Sequence, residues 1–154
     1  MKAKNDITSF ERWPMHFWHD PIHDVVTMTF NNCVISSSDD AIEFMKVMTI
    51  HMQRHKTPAD VLIDYSGLVV KASAASKFGS ERAEFGRRFF QRSYRYNVEN
   101  ASSRSVLYTS KVIYGAETNI CATREEALNA LLEQRKNEHL YAQKKRSDLC
   151  ETIS

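Results

Sequence analysis

The fold is decided by Val61-Leu62-Ile63-Asp64-Tyr65-Ser66-Gly67, an apolar run that ends in a polar turn. Such a run is typical of a strand that is covered on both faces in an α/β sheet. In α/β proteins, the loops at the carboxyl ends of the strands carry the binding sites. The stretch therefore predicts a central strand, and it places a candidate site in the segment that follows, up to Ser73.

Two strands and a helix are predicted before the central strand. The strands are Met15 to Trp18 and Val25 to Phe30, and Pro21 between them belongs to a turn composition that favours a hairpin. Apolar residues then recur at helical spacing after the capping pair Asp39-Asp40. This pattern predicts a first helix that ends near Lys56.

Two helices and two strands are predicted after the central strand. In chain order they are a helix from Ala72 to Arg92, a core strand from Ser105 to Thr109, a short strand from Asn119 to Ala122, and a last helix that begins at Thr123. The fold class is therefore α/β, a small sandwich in which three main helices pack against a mixed sheet of four to five strands. Residues 110–118 are few for a parallel crossover, so they form a single helical turn, or the last strand is displaced or antiparallel.

The composition indicates one globular domain. The 154 residues are 42% hydrophobic and 26% charged, which is ordinary for a folded soluble protein. We predict a polar amino-terminal arm at residues 1–14, the α/β domain at residues 15–136 and a polar, frayed tail at residues 137–154. The net charge of +2 gives little attraction for polyanions, so no nucleic acid partner is predicted.

Cysteine usage and hydropathy predict a cytoplasmic protein. Cys33, Cys121 and Cys150 are odd in number and far apart, which favours reduced thiols. No apolar stretch has the length of a signal-peptide core or of a membrane span. We therefore expect a cytoplasmic chain without integral membrane association.

Three stretches share their pattern with a known family. They are the central strand with its turn, Val61 to Gly67, then Val106-Leu107-Tyr108-Thr109 and Thr123-Arg124-Glu125-Glu126-Ala127-Leu128. Over roughly Phe17 to Glu133 the chain resembles the SpoIIAA-like domains, relatives of the STAS (sulfate transporter and anti-sigma factor antagonist) domain. The resemblance implies a SpoIIAA-like sandwich that acts as a non-enzymatic regulatory or protein-interaction module. It also implies a homodimer, an unidentified protein partner and no cofactor.

The resemblance further implies a functional edge after the central strand. In STAS anti-sigma factor antagonists, a serine at the start of the next helix is phosphorylated by a partner kinase, and Ser73 falls on that position. Ala72 and Ala75 stand where the family has an acidic residue and a glycine, so Ser73 is either a phosphoacceptor or a helix-capping residue. The predicted partner-facing loop with its phosphoacceptor consists of Asp64, Ser66, Gly67, Ser73 and Ser76.

The second predicted helix carries the densest basic segment of the chain. Guanidinium groups beside aromatic side chains bind phosphates, so an anion-binding face is one interpretation. Pairs such as Glu84 with Arg88 make a solvated helix face the alternative. The residues of the candidate anion-binding face are Arg82, Arg87, Arg88 and Arg92.

Methionine and phenylalanine side chains on the first two helices suggest a different function. Flexible methionines beside aromatic rings can line a pocket for an apolar ligand, and SpoIIAA-like domains resemble lipid-binding proteins in architecture. A plain hydrophobic core accounts for the same spacing. The alternative function, a carrier for a small apolar ligand or a lipid, rests on a candidate pocket of Met45, Met48, Met52, Phe78, Phe85 and Phe89.

Neither a metal centre nor a catalytic site is predicted. His16 and His19 would point to opposite faces of a strand and His23 lies in a turn, so the three do not converge. His51 and His55 lack the glutamate of a zinc-binding H-E-x-x-H helix. The chain has no G-x-S-x-G elbow and no glycine-rich phosphate loop, so we expect no catalytic residues and no enzyme activity.

Overall fold

Strands and helices alternate along most of the chain. The computed structural model describes residues 10–153, with side chains up to residue 149. In chain order the elements are β1 (Met15–Asp20), β2 (Val25–Phe30), β3 (Cys33–Ile35), α1 (Ser38–Met52), β4 (Ala59–Asp64), β5 (Leu68–Val70), a 3₁₀ turn (Ala72–Ala74), α2 (Ala75–Phe89), β6 (Phe90–Tyr96), α3 (Ala101–Tyr114), β7 (Ile120–Cys121) and α4 (Arg124–Ile153).

Five strands form one mixed sheet in the order β1-β2-β4-β6-β7. β1 is antiparallel to β2, and the other neighbouring strands are parallel. β4 lies at the centre, where Val61 is opposite Val26 on one side and Ser93 on the other. The predicted fold class, a small α/β sandwich with a mixed sheet, is confirmed.

Successive side chains of β4 enter two separate hydrophobic clusters. Val61 and Ile63 belong to the larger cluster, with side chains of α1, α2 and α3, whereas Leu62 belongs to a smaller cluster with Ala127 and Leu131 of α4. Because strand side chains alternate between faces, helices cover the sheet on both sides. This double coverage explains why the central run has almost no polar interruption.

A strand follows α2 earlier than predicted. α2 ends at Phe89, and residues 90–96 form β6 beside β4. The prediction that the helix continues to Arg92 is wrong because β6 has little apolar character. Its Ser93 is fully buried but bonds to a carboxylate, and its Arg92 is paired with acidic side chains.

Residues 105–109 lie in a helix, so the predicted core strand from Ser105 to Thr109 is wrong. α3 begins after its N-cap Asn100, whose side chain accepts a hydrogen bond from the Ser103 amide, and ends at Tyr114, before the C-cap Gly115 with a φ of 69°. Its buried positions have helical spacing, but two of them are serines. α3 provides the crossover from β6, so β7 pairs parallel with β6 at the sheet edge.

α1 begins and ends at different residues from those predicted. Its N-cap is Ser37, whose hydroxyl accepts a hydrogen bond from the Asp40 amide at 3.1 Å. The Asp40 carboxylate accepts one from the Ser36 amide at 2.9 Å. The helix ends at Met52 rather than near Lys56. Asp40 therefore stabilises the first turn from within the helix rather than as its cap.

A second sheet, which the sequence patterns did not indicate, consists of β3 and β5 in parallel. The two segments meet at Gly67, whose carbonyl accepts a hydrogen bond from the Cys33 amide at 2.9 Å. A Cβ atom at Gly67 would lie 1.9 Å from the Phe30 carbonyl oxygen. Only glycine permits this close approach of two backbones.

The two ends of the domain differ in their packing. Residues 1–9 of the predicted arm lie outside the described residues. In the remainder of the arm, Trp13 is 1% exposed and packs edge-on against Phe44. At the other end, α4 continues through residues 137–153, the segment predicted as a frayed tail. Its described side chains there are largely exposed.

Candidate functional site

The predicted partner-facing loop begins with an ordered turn at Asp64. The Oδ1 atom of Asp64 accepts hydrogen bonds from the Ser66 amide at 2.9 Å and from the Asn97 side chain at 3.1 Å. Such an aspartate turn fixes the path of the backbone. Asp64 and the closely packed Gly67 therefore shape the loop, whereas Ser66 is exposed.

Ser73 and Ser76 lie exposed on the next segment of the same edge. The Ser73 hydroxyl donates a hydrogen bond to the Ser36 carbonyl, and the Ser76 hydroxyl lies 3.3 Å from the Tyr114 hydroxyl. The N-cap of α2 is Ala74, so Ser73 connects the 3₁₀ turn to the loop before α1 and does not cap α2. Phosphorylation of Ser73 stays a prediction, which equal partner affinities of the Ser73→Ala and Ser73→Asp variants would contradict.

α3 lies directly beside this edge and is held there by polar contacts. The Val70 amide donates to the Ser103 hydroxyl at 2.9 Å, and the Ser102 hydroxyl donates to the Val70 carbonyl at 2.6 Å. α3 also approaches α2 closely, since a Cβ atom at Gly79 would lie 2.9 Å from Ser110 Cβ. The loop edge and α3 therefore form one continuous surface.

The outer side of α3 exposes three large apolar side chains, which we name the α3 face. Tyr108 is 50% exposed, Val112 85% and Ile113 62%. Tyr108 and Val112 are four positions apart and so lie on the same side of the helix. Sequence patterns missed this surface because they assigned residues 105–109 to a buried strand.

The four arginines of the predicted anion-binding face do not share a face. Arg82 is buried, and its guanidinium donates to oxygen atoms of α3 and of the loop after it. Arg92 lies on β6 and is paired with two carboxylates. Arg87 and Arg88 are exposed on α2. The basic face predicted over one helix is therefore not formed.

Asp60 is the centre of an ion-pair network that joins α4 to the sheet. Its carboxylate accepts hydrogen bonds from Arg92 Nη1 at 2.9 Å and from Arg135 Nε at 2.6 Å. Arg92 also donates to Glu138 at 2.6 Å, and this hydrogen bond lowers the pKa of Glu138. Arg135 donates to two carbonyl groups of the β1–β2 turn. These charges are engaged with one another and hold the fold together.

The histidine side chains His19, His23 and His51 each interact with a neighbouring aspartate or aromatic ring. His19 pairs with Asp24 at 2.8 Å and His23 with Asp20 at 2.7 Å. His51 packs against aromatic rings, and burial lowers its pKa. Across the part of the chain that the structure describes, no group of three or more histidine, cysteine, aspartate or glutamate side chains could hold a metal ion.

A cleft of about 520 Å³ opens at the amino ends of the parallel strands. Its polar lining includes His19, Asp24, His55 and Asp60. His19 and Asp24 pair with each other, and Asp60 belongs to the ion-pair network. Three of the polar groups that line this cleft are therefore already paired with other groups of the protein.

Two of the three cysteines are free thiols, Cys33 and Cys121. Cys33 is 1% exposed, and burial raises its pKa to about 11. Burial also raises the pKa of Cys121. Thiols with raised pKa values are poor nucleophiles near neutral pH, because the thiolate is the reactive form. Cys150 lies beyond the residues whose side chains are described.

The six residues of the predicted apolar pocket are packed in the core, each between 0% and 6% exposed. An adjoining cleft of about 80 Å³ touches Met45, Phe85 and Phe89, but it also touches two glutamates and an arginine. Pockets for organic ligands typically measure about 300–1,000 Å³. The packing favours a plain core, and the carrier function stays a prediction.

Comparisons with known proteins do not assign a family. No model of a protein family matches this chain, and no curated protein matches it. The resemblance to SpoIIAA-like domains therefore stays a prediction. Within the described residues, none of the helices is both long enough and apolar enough to cross a membrane.

Proposed function

We propose that this chain is a non-enzymatic regulatory or protein-interaction module that binds another protein through the α3 face. The observation that supports the proposal is the exposure of Tyr108, Val112 and Ile113 on one rigidly held helix. Contiguous apolar side chains on a surface are characteristic of interaction sites. Large apolar and aromatic side chains also supply most of the binding energy in protein interfaces.

The charges on α3 indicate the chemistry of the partner. Arg104 and Lys111 are the charged residues of this helix, and both are exposed. A partner surface that combines apolar side chains with carboxylates therefore complements α3. The polar contacts of α3 with β5 order the helix before binding, so little entropy is lost on association.

The proposal is tested with Val112→Asp and the matched control Ile22→Asp. Val112 is 85% exposed and Ile22, in the β1–β2 turn, is 86% exposed, so neither substitution disturbs the core. Proteins bound to the tagged wild-type chain in an extract of the native organism are identified, and the affinity for each is then measured with purified components. A carboxylate on an apolar interface costs several kcal/mol, so we expect Val112→Asp to weaken binding by about 100-fold or more. Equal affinities of the two variants would contradict the proposal.

A second copy of the chain is a separate candidate partner, because the resemblance implies a homodimer. Since α3 carries only basic charges, its α3 face would contact a different, acidic surface of that copy. Sedimentation equilibrium of the purified protein measures self-association directly. We expect the wild-type chain and Ile22→Asp to form dimers and Val112→Asp to be monomeric. A dimer that persists in Val112→Asp would show that the α3 face is not the dimer interface.

A further inference from the structure

Arg95 of β6 is a buried cation whose hydrogen bonds are incomplete. It is 3% exposed, and its Nη2 atom donates to the Ser93 hydroxyl at 3.2 Å. Its Nε and Nη1 atoms are closed off from solvent and have no hydrogen-bond partner among the described residues. A guanidinium keeps its charge at physiological pH. Because an unpaired buried charge is strongly unfavourable, Arg95 lacks the group that would complete its pairing.

The groups around Arg95 do not neutralise it. Burial and the charge of Arg95 lower the pKa of the neighbouring Arg82 to about 10, against the opposing effects of Tyr65 and Glu117. The carboxylate of Glu117 is bound elsewhere, since its Oε2 atom accepts hydrogen bonds from the Ser93 amide at 3.1 Å and from the Ser93 hydroxyl at 2.7 Å. Two buried guanidinium groups therefore face a single carboxylate, which leaves an excess of positive charge.

Both arginines line one cleft between α2, β6 and the loop after α3. Ser93, Glu117 and Arg87 also line this cleft, whose volume is about 180 Å³. This volume is several times the roughly 30 Å³ that a water molecule takes in the liquid. It is below the range of roughly 300–1,000 Å³ that is usual for drug-sized ligands. The space and the charge both fit a small anion.

We propose that, once the Glu117 carboxylate has moved aside, this cleft binds a small tetrahedral oxyanion, a phosphate or the phosphoryl group of a small phosphomonoester, with Arg95 as its main contact. The Ser93 amide and hydroxyl are the further donors, so several N–H and O–H groups are available to one ligand. Four oxygen atoms use such a set of donors better than the two of a carboxylate. Glu117 accepts the hydrogen bonds of Ser93 in the present structure. Its exposed carboxylate therefore competes with the ligand and moves out when the ligand binds.

The test measures thermal unfolding of the purified full chain in increasing concentrations of anion at constant ionic strength. A ligand that binds the folded state alone raises the Tm with its concentration. Phosphate also stabilises folded proteins without binding, because it is excluded from their surfaces. We therefore expect inorganic phosphate or glycerol phosphate to raise the Tm of the wild-type chain more than that of Arg95→Met, and chloride to have no such effect. Whichever compound raises the Tm more, inorganic phosphate or glycerol phosphate, identifies the ligand as the free ion or as a monoester. Equal Tm values in phosphate and chloride would overturn the proposal.

Two variants make the test specific to this cleft. Arg95→Met removes the buried charge, which is often tolerated when an apolar side chain fills the space, and we expect it to bind phosphate at least tenfold more weakly. Glu117→Gln removes the competing charge, and we expect it to bind roughly tenfold more tightly. Glu125→Gln, an exposed position on α4, is the matched control and leaves the affinity unchanged.

The variants also keep the proposal falsifiable if one of them does not fold. Glu117→Gln changes an exposed side chain, so it decides the question if Arg95→Met fails to fold. Phosphate binding that is no tighter in Glu117→Gln than in the wild-type chain would contradict the proposal. The measurement needs no protein partner, so its outcome is independent of the α3 face.

Discussion

At the scale of single residues, Gly67 occupies a position where no side chain fits. Its carbonyl accepts a hydrogen bond from the Cys33 amide, and a Cβ atom would lie 1.9 Å from the Phe30 carbonyl oxygen. A contact this short forces the two backbones apart. The φ angle of Gly67 is not in the left-handed region, so the requirement for glycine here is one of space.

Gly67→Ala is expected to lower the free energy of unfolding by about 2–3 kcal/mol, because the end of β2 must move away from the new methyl group. Urea unfolding measures this change. Gly86→Ala is the control, since a Cβ atom there has its nearest contact at 3.6 Å, with Phe90. In the interior of α2 this second substitution should stabilise the protein by up to about 1 kcal/mol. Equal stabilities of both variants would contradict the close contact.

At the scale of elements, the first turn of α1 depends on Asp40. Its carboxylate accepts a hydrogen bond from the Ser36 amide and forms an ion pair with Arg12. Burial raises the pKa of Asp40, but this hydrogen bond and the charge of Arg12 outweigh burial, so the pKa lies below its ordinary value. The negative charge also interacts favourably with the positive end of the helix dipole.

Asp40→Asn should therefore change the pH dependence of stability. A carboxylate whose pKa is lower in the folded state than its unfolded value of about 3.9 stabilises the protein above that pH, and this stabilisation is lost as the pH falls through the folded pKa. We expect the free energy of unfolding of the wild-type chain to be about 1–2 kcal/mol higher than that of the variant at neutral pH. This difference should shrink below about pH 4, as urea unfolding at several pH values will measure.

Asp39→Asn serves as the control for this pH effect. Asp39 carries the same charge in the same helical turn but is exposed. Its substitution should change the free energy of unfolding by less than about 0.5 kcal/mol at neutral pH. A difference between the wild-type chain and Asp40→Asn that stays constant down to low pH would show that the charge of Asp40 is not responsible.

The longer elements that could be predicted from the sequence have buried sides that are mainly apolar. β4 and α1 belong to this class, although each also buries one aspartate. The two longer elements that were predicted wrongly, β6 and α3, each bury at least two polar side chains. Ser103 and Ser110 of α3 bond to Val70 and Arg82, which lie far away along the chain. Local periodicity carries no information about such distant partners. In the sequence, these two buried serines therefore look like residues that face solvent.

The candidate site could be predicted only in part for the same reason. The loop after β4 follows from the general position of sites in α/β sheets. The α3 face depends on knowing that residues 105–109 are helical, because only a helix turns Tyr108 outward while Val106 and Leu107 remain buried. The cleft at Arg95 depends on the strand β6, which the sequence pattern had assigned to the end of a helix.

At the scale of the whole molecule, α4 is the layer that covers the second face of the sheet. Ala127 and Leu131 pack into the smaller hydrophobic cluster. Asp60 then pairs with Arg92 of the sheet and with Arg135 of the helix. The Asp60 side chain is 5% exposed, so these interactions take place largely out of water. The Asp60 carboxylate therefore pairs with one arginine of the sheet and one arginine of α4, and so joins these two layers.

Asp60→Ala is expected to destabilise the protein by about 3–5 kcal/mol, because it leaves two guanidinium groups without their central carboxylate. Glu138→Ala is the control, since the Glu138 side chain is 49% exposed and its pair with Arg92 is a surface ion pair. Removing such a pair should cost less than about 1 kcal/mol. Urea unfolding of both variants gives the comparison, and similar losses in the two would argue against the central role of Asp60.

The length of α4 also determines how the molecule moves in solution. The helix runs from Arg124 to Ile153, and Glu138 of this helix is still paired with Arg92 of β6. At 1.5 Å per residue, the segment beyond Glu138 extends about 23 Å, whereas a compact chain of this length has a radius of gyration of about 15 Å. The protein therefore rotates anisotropically, more slowly about axes across α4 than about the axis along it.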